Sequence, residues 1–110
     1  MIYEVALTDQ ADADLRGIYE YIAFELLAPE NAAGQLDRLE ESIFSLEHFP
    51  EKFKKYEKEP WHSRGLRAMP VDNYLVLYIP DKGTEVVTVI RVIYNGRDID
   101  KKLRNHTVRK

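Results

Sequence analysis

The chain has 110 residues, 45% of them hydrophobic, and a formal net charge of −3; this fits one domain with one modest core and excludes a disordered chain. It contains no cysteine, which excludes disulfides and thiolate metal sites and leads us to expect a reducing compartment, the cytoplasm. The opening Met1-Ile2-Tyr3-Glu4-Val5 has no basic stretch leading into an apolar run, and no apolar run approaches about 18 residues, so neither a signal peptide nor a membrane span is expected.

The small net charge conceals a division along the chain. Residues 9–47 carry ten acidic and two basic side chains, whereas residues 48–110 carry eight acidic and fourteen basic. The acidic total speaks against a nucleic-acid partner, but the division keeps one open on a single face.

In chain order, residues 2–7 alternate as a short strand. Thr8 is placed to cap a helix, and Asp9 and Asp12 suit its positive end. Ala11, Leu15, Ile18, Tyr19, Ile22 and Leu26 follow at helical spacing and predict a helix over 9–27. Ala28-Pro29 breaks it, since proline disfavours a helical residue before it but fits a first helical turn. A second helix is predicted over 30–47, with Leu36, Leu39, Ile43 and Leu46 on one stripe. So short a break makes the two an antiparallel hairpin.

Phe49-Pro50 ends the hairpin. A charged, irregular stretch, 51–63, contains Lys52, Lys54, Lys55, Lys58, Trp61 and His62. Strands are then predicted over 65–69, 74–79 and 86–94. The last two are richest in Val, Ile, Leu and Tyr and belong at the centre of the sheet. Pro80-Asp81-Lys82-Gly83 reads as a hairpin turn with positive φ at the glycine. Asp98 is a candidate cap for a short helix over 99–104. The expected organisation is one α+β domain, 1–104, with a frayed polar tail, 105–110. The order β-α-α-β-β-β predicts an antiparallel sheet with the helix hairpin on one face. The other face is left open, with Arg67, Tyr74, Arg91 and Tyr94 able to point to it.

These pieces resemble a known family. The strand end Leu7-Thr8, the run ADADLRGIYEYI, Asn31-Ala32-Ala33 and the leucine stripe ending at Phe49-Pro50 resemble the first half of RelE/ParE toxins. LRAMPVDNYLVLYIPDKGTEVVTVIRVIYNGRDI resembles that superfamily's arginine-bearing strand, its Asn-Tyr-x-x-x-Tyr strand and its arginine-aspartate ending. The resemblance implies a βααβββ fold, a toxin of a plasmid-stabilisation type II toxin–antitoxin pair, an antitoxin that wraps it, and growth arrest when it is free. RelE-type members cut ribosome-bound messenger RNA, which demands a base, an acid and cations around a pentavalent phosphorane. ParE-type members poison DNA gyrase and need no such set. Carried over residue by residue, the RelE strand arginine falls at Leu75, the following arginine at Asn95 and the terminal tyrosine near Lys101. Ile93-Tyr94 stands where some relatives have His-Tyr. The YNGRDI ending is closer to the ParE pattern, so a gyrase-directed toxin that is not an enzyme is expected. A ribosome-dependent endoribonuclease is the alternative, and a fold that only binds antitoxin is the third.

The candidate target- or antitoxin-binding residues are Arg64, Arg67, Tyr74, Arg91, Tyr94 and Arg97. If the chain is a ribonuclease, Arg67, Arg91, Tyr94 and Arg97 are its candidate catalytic set. Each has a plainer alternative. Alternation places Arg91 on the face opposite Ile90 and Val92, where it either pairs with a carboxylate or meets a partner. Arg97-Asp98 reads equally as a helix cap. Tyr74 and Tyr78 share a face and suit the core. The lysines of 52–58 fit a solvated loop or a phosphate-facing patch. His48, His62 and His106 lack metal-ligand spacing, and no glycine-rich phosphate loop or nucleophile elbow is present, so no metal or cofactor is expected.

Overall fold

Strand β1 (Glu4–Leu7) leads directly into helix α1 (Asp9–Glu20) in the computed structural model of the chain, which describes residues 2–95 with Ile99, Lys101 and Leu103. Thr8 caps α1 as expected, its Oγ1 accepting from the Ala11 amide at 3.0 Å. The same hydroxyl donates to the Ile90 carbonyl at 2.9 Å and ties the helix start to the sheet. Beyond Glu20 the helix widens into a π turn, Tyr21–Glu25. The widened turn rotates the side chains that follow, so Leu26, expected on the buried stripe, is exposed. Helix α2 (Pro29–Phe44) begins with proline in its first turn and tightens into a 3₁₀ turn over Ser45–Glu47.

Strands β2 (Arg67–Val71), β3 (Tyr74–Asp81) and β4 (Val86–Tyr94) form an antiparallel run, with β3 and β4 adjacent as predicted. The sheet order is β1-β4-β3-β2. One pairing corrects the expectation of a wholly antiparallel sheet: β1 runs parallel to β4, from Glu4 opposite Val86 to Leu7 opposite Val89. Two helices and two strands separate them in sequence, so no tight turn dictates their relative direction. The β3–β4 turn also differs. Asp81 Oδ1 accepts from the Gly83 and Thr84 amides at 2.8 and 3.3 Å, and Glu85 rather than Gly83 takes the positive φ. An aspartate at the end of β3, accepting from amides two and three residues on, stabilises this form in place of a glycine-centred one.

The main core lies between the hairpin and the sheet. Leu15, Leu39, Ile43, Val76, Tyr78, Val87, Val89 and Val92 are buried there, with Ile18, Leu36 and Tyr74 packed against them. The opposite face is not open, which corrects the expectation. Trp61, Leu66, Leu77, Ile90, Ile93 and Leu103 form a second buried cluster, joined by Tyr56, Leu75 and Ile79. Alternation along β3 sends Tyr74, Val76 and Tyr78 to the first core and Leu75, Leu77 and Ile79 to the second, the pattern of a strand covered on both faces. Ile99, Lys101 and Leu103 are helical within the predicted 99–104 segment. Arg97, Asp98 and the tail 105–110 lie outside the described residues.

Tyr78 joins the sheet to the segment after the hairpin. Its side chain is fully buried, and its hydroxyl donates to the Pro50 carbonyl at 2.6 Å. Burial pushes the phenol up to about 12, against a smaller opposing pull from Arg67. The unfolded chain therefore gives up this proton near pH 10 and the folded chain near 12. The contribution is complete below pH 10 and is lost as pH rises through that window, by about 3 kcal/mol at 1.36 kcal/mol per unit. Tyr78→Phe leaves the Pro50 carbonyl without its donor and should cost about 1–3 kcal/mol at pH 7. Urea titrations from pH 8 to 12 should show the wild-type advantage over Tyr78→Phe shrinking above pH 10. A constant gap across that range would contradict the assignment.

Candidate functional site

The second half of β4 lies beyond the end of β1, so its free edge faces the side of α1. A β-bulge sits here: Leu77 is opposite Arg91 and Tyr78 is opposite Val89, leaving Ile90 as the extra residue. The bulge breaks the alternation assumed from sequence. Ile90 enters the second core and Val92 the first, and the side chain between them is re-aimed. Arg91 meets Asp14 of α1, Nε to Oδ2 at 2.8 Å and Nη2 to Oδ1 at 2.9 Å. Asp14 Oδ2 also accepts from the Val92 amide at 2.9 Å, which satisfies an N–H that β1 is too short to reach. The two side chains retain only 12% and 16% of their exposure. Arg91 is therefore an internal ion pair, the plainer of its two readings.

Above this pair opens a cleft of about 820 Å³, lined among others by Asp14, Tyr21, Leu26, Tyr74, Arg91 and Tyr94. Tyr74 and Tyr94, paired across β3 and β4, meet edge to face with centroids 5.6 Å apart. Burial raises the Tyr74 phenol, with smaller contributions from Tyr94 and Tyr21. Tyr94 is 50% exposed, and Tyr21, Phe24, Leu26 and Leu27 continue an exposed apolar surface along the hairpin tip. On the far side, Asp72 takes hydrogen bonds from Arg38 Nε at 2.8 Å and Gln35 Nε2 at 2.9 Å. These donors, Arg38 first, hold its carboxyl below the usual range.

The remaining candidates are placed elsewhere. Arg67 Nη1 donates to the Phe53 and Glu51 carbonyls at 2.6 and 3.0 Å, and so braces the segment after the hairpin. Its Nε is buried without a hydrogen-bond partner. Arg64 lies over the Trp61 ring, 4.9 Å from the centroid. Of six site candidates the structure brings Tyr74, Arg91 and Tyr94 together, places Arg64 and Arg67 apart from them, and does not describe Arg97. Sequence reasoning missed Asp14 and Tyr21. Asp14 carried a signal: it stands three residues after Ala11 and four before Ile18, a carboxylate bordering the apolar stripe of α1.

A helix hairpin over a β1-β4-β3-β2 sheet is shared with solved toxins. The family model described as the ParE toxin of the type II toxin–antitoxin system parDE matches residues 5–99. The chain belongs to the ParE toxin family. No curated protein matches this ParE-family chain by sequence. Among solved structures, the chromosomal ParDE system of P. aeruginosa matches with a TM-score of 0.71 and 20% identity, over 86% of this chain and 97% of that one. The RelBE2 toxin–antitoxin complex of Mycobacterium tuberculosis matches at 0.62 and 23%, over 86% and 100%. A mutant of E. coli RelE in the free state matches at 0.65 and 14%, over 99% and 97%. At these identities the structural likeness is one of fold; the family rests on the sequence match. Among the described residues, no helix of this ParE-family toxin is long and apolar enough to cross a membrane.

Proposed function

We propose that this ParE-family toxin arrests growth by acting on DNA gyrase without cutting RNA, and that a cognate antitoxin silences it by occupying the tyrosine cleft. The observation that carries the reading is where the strand arginines spend their charge. Arg91 forms a bidentate pair with Asp14, and Arg67 braces backbone carbonyls. A phosphorane needs cations that face the reacting phosphate, and losing one such group lowers a rate by about 10²–10³. The positions where RelE chemistry expects ionic or phenolic groups support the same reading: Leu75 packs in the second core, and Asn95 is an exposed amide.

The antitoxin reading is supported by the surface. An exposed aromatic and apolar strip borders the cleft, on a hairpin segment, 9–47, with ten acidic and two basic side chains. An amphipathic segment that folds on binding, apolar on one side and basic at its margins, fits that surface.

The test has two arms. Purified toxin should inhibit supercoiling of relaxed plasmid by gyrase, with recovery on adding antitoxin and poor recovery for Tyr94→Glu. In reconstituted translation, primer extension across ribosome-bound message should give no toxin-dependent stops. Codon-phased cuts by the wild type, lost in Arg97→Ala, would overturn the gyrase reading and make the chain a ribonuclease.

A further inference from the structure

The basic half of the chain is concentrated in a segment that the cleft does not use. Residues 52–64 carry Lys52, Lys54, Lys55, Lys58 and Arg64 against Glu57 and Glu59, and all seven side chains are exposed. The segment is built rather than loose. Lys55 bridges to Arg67, the Tyr56 amide donates to the Leu66 carbonyl at 2.8 Å, and the Ala68 amide donates to the Lys54 carbonyl at 3.3 Å. Residues 54–56 thus lie along the outer edge of β2, at the end of the sheet farthest from β1. Trp61 is buried beneath them in the second core. Two of the cations rest on rings: Arg64 on Trp61, and Lys52 with Nζ 5.2 Å from the Phe53 centroid. The acids are engaged locally. Glu57 sits 3.6 Å from Lys54, and Glu59 accepts from the Ser63 amide and hydroxyl at 3.0 and 2.8 Å. Lys82 of the β3–β4 turn reaches the same region through Glu51, at 3.4 Å.

The aromatics decide what such an edge fits. Single-stranded nucleic acid is gripped by bases stacking on exposed rings. Here Trp61 is buried, and Phe53 and Tyr56 are packed against the two cores, so the edge offers cations without a stacking platform. That suits the phosphate backbone of a duplex, contacted by charge and without sequence preference. We propose that the edge formed by residues 52–64, with Lys82, is a docking surface for double-stranded DNA. The acidic hairpin repels the same polyanion, so the molecule meets the duplex edge first. The choice of DNA over duplex RNA rests on the gyrase reading above, because gyrase acts on a duplex DNA substrate; the choice of a duplex does not.

The test is fluorescence anisotropy of the full chain with a labelled 24-base-pair DNA of mixed sequence, from about 50 to 200 mM salt. The matching single strand and the matching duplex RNA serve as comparisons. Wild type should bind the DNA duplex with affinity falling as salt rises, by about 0.9 log units per phosphate contacted for each tenfold rise in salt. The K54E/K55E/K58E variant should bind at least about tenfold more weakly, with a slope shallower by two to three units at about 0.9 per contact. The variant with arginine at those three positions should bind like wild type, and Glu57→Gln more tightly. Lysines on an exposed sheet edge also prevent edge-to-edge pairing. If that is their sole purpose, a K54A/K55A/K58A variant aggregates, the charge-reversed one stays monomeric and wild type shows no duplex affinity, and the proposal fails. It fails equally if the single strand or the RNA duplex binds more tightly. Gyrase inhibition is assayed on the same samples. Duplex binding without inhibition would sink the target reading alone; inhibition without duplex binding would sink this one alone.

Discussion

Asp14→Ala should destabilise the fold by about 3–5 kcal/mol, the cost expected when one partner of a buried ion pair is removed. The Asp14 carboxylate accepts from Nε and Nη2 of a side chain that is 12% exposed and from the Val92 amide as well. Alanine strips the guanidinium of this partner and leaves an edge N–H of β4 without its acceptor. The Val92 amide, on a residue that is 2% exposed, is poorly placed to recover its hydrogen bond from water, and the guanidinium can do so only from the cleft side. At about 4 °C per kcal/mol for a domain of this size, the melting midpoint should fall by about 12–20 °C. The informative comparison is the double replacement Asp14→Leu with Arg91→Met. Desolvating two charges offsets much of their attraction, so an apolar pair of similar volume should recover most of the loss, while each single change stays costly. Urea unfolding of the four proteins closes the cycle. A loss below about 1 kcal/mol for Asp14→Ala would mean that the pair is solvated and that Arg91 remains available to a partner.

Trp61→Ala should cost about 3–5 kcal/mol, as large-to-small changes at buried aromatic positions do. The ring is 5% exposed and supports Leu66, Leu77, Ile90, Ile93 and Leu103. Removing it empties the centre of the second core and undercuts the segment 54–66. The loss should be local before it is global. Amide exchange should accelerate first at Tyr56, whose amide donates to the Leu66 carbonyl at 2.8 Å, and at Leu66, whose own amide donates to the Trp61 carbonyl at 3.1 Å. Leu39→Ala, in the first core, should cost about 2–5 kcal/mol without that local signature. The chain has a single tryptophan, so blue-shifted emission from Trp61 in the native state provides an independent check of burial. A change under about 1 kcal/mol with red-shifted native emission would place the ring in solvent and leave the far face of the sheet open.

Features set by local chemistry were legible before any coordinates. Thr8 caps α1 because its hydroxyl meets an orphan amide three residues on, and Pro29 restarts the chain as α2 because it needs no amide donor there. The spacing of Tyr74 and Tyr78 placed both on the first core. What escaped depends on partners far away in sequence. The direction of β1 is set by β4, and the bulge at Ile90 is visible only once β3 and β4 are paired. The π turn displaced Leu26 from a stripe that a regular helix would have buried. The second core escaped because Trp61 sits in a stretch without periodicity, whose charged neighbours suggested a solvated loop. Of the candidate site residues, Tyr74, Arg91 and Tyr94 line one cleft. Of the two readings of Arg91, pairing with a carboxylate is the one realised; which carboxylate could not be read, because the acceptor lies 77 residues upstream.

The parallel pairing of β1 with β4 has a consequence for how the chain acquires its structure during synthesis. Thr8 cannot hydrogen-bond to Ile90 until the chain has grown by a further 82 residues. At about 5–20 residues per second this is a wait of roughly 4–16 s. Throughout that interval the first strand has no partner and the acidic hairpin has no finished sheet to cover. Contacts of this separation must also overcome a large loop-closure entropy before they stabilise anything, which slows folding. Completion of the sheet, and with it closure of the Asp14–Arg91 pair beneath the tyrosine cleft, is thereby deferred until β4 has been synthesised.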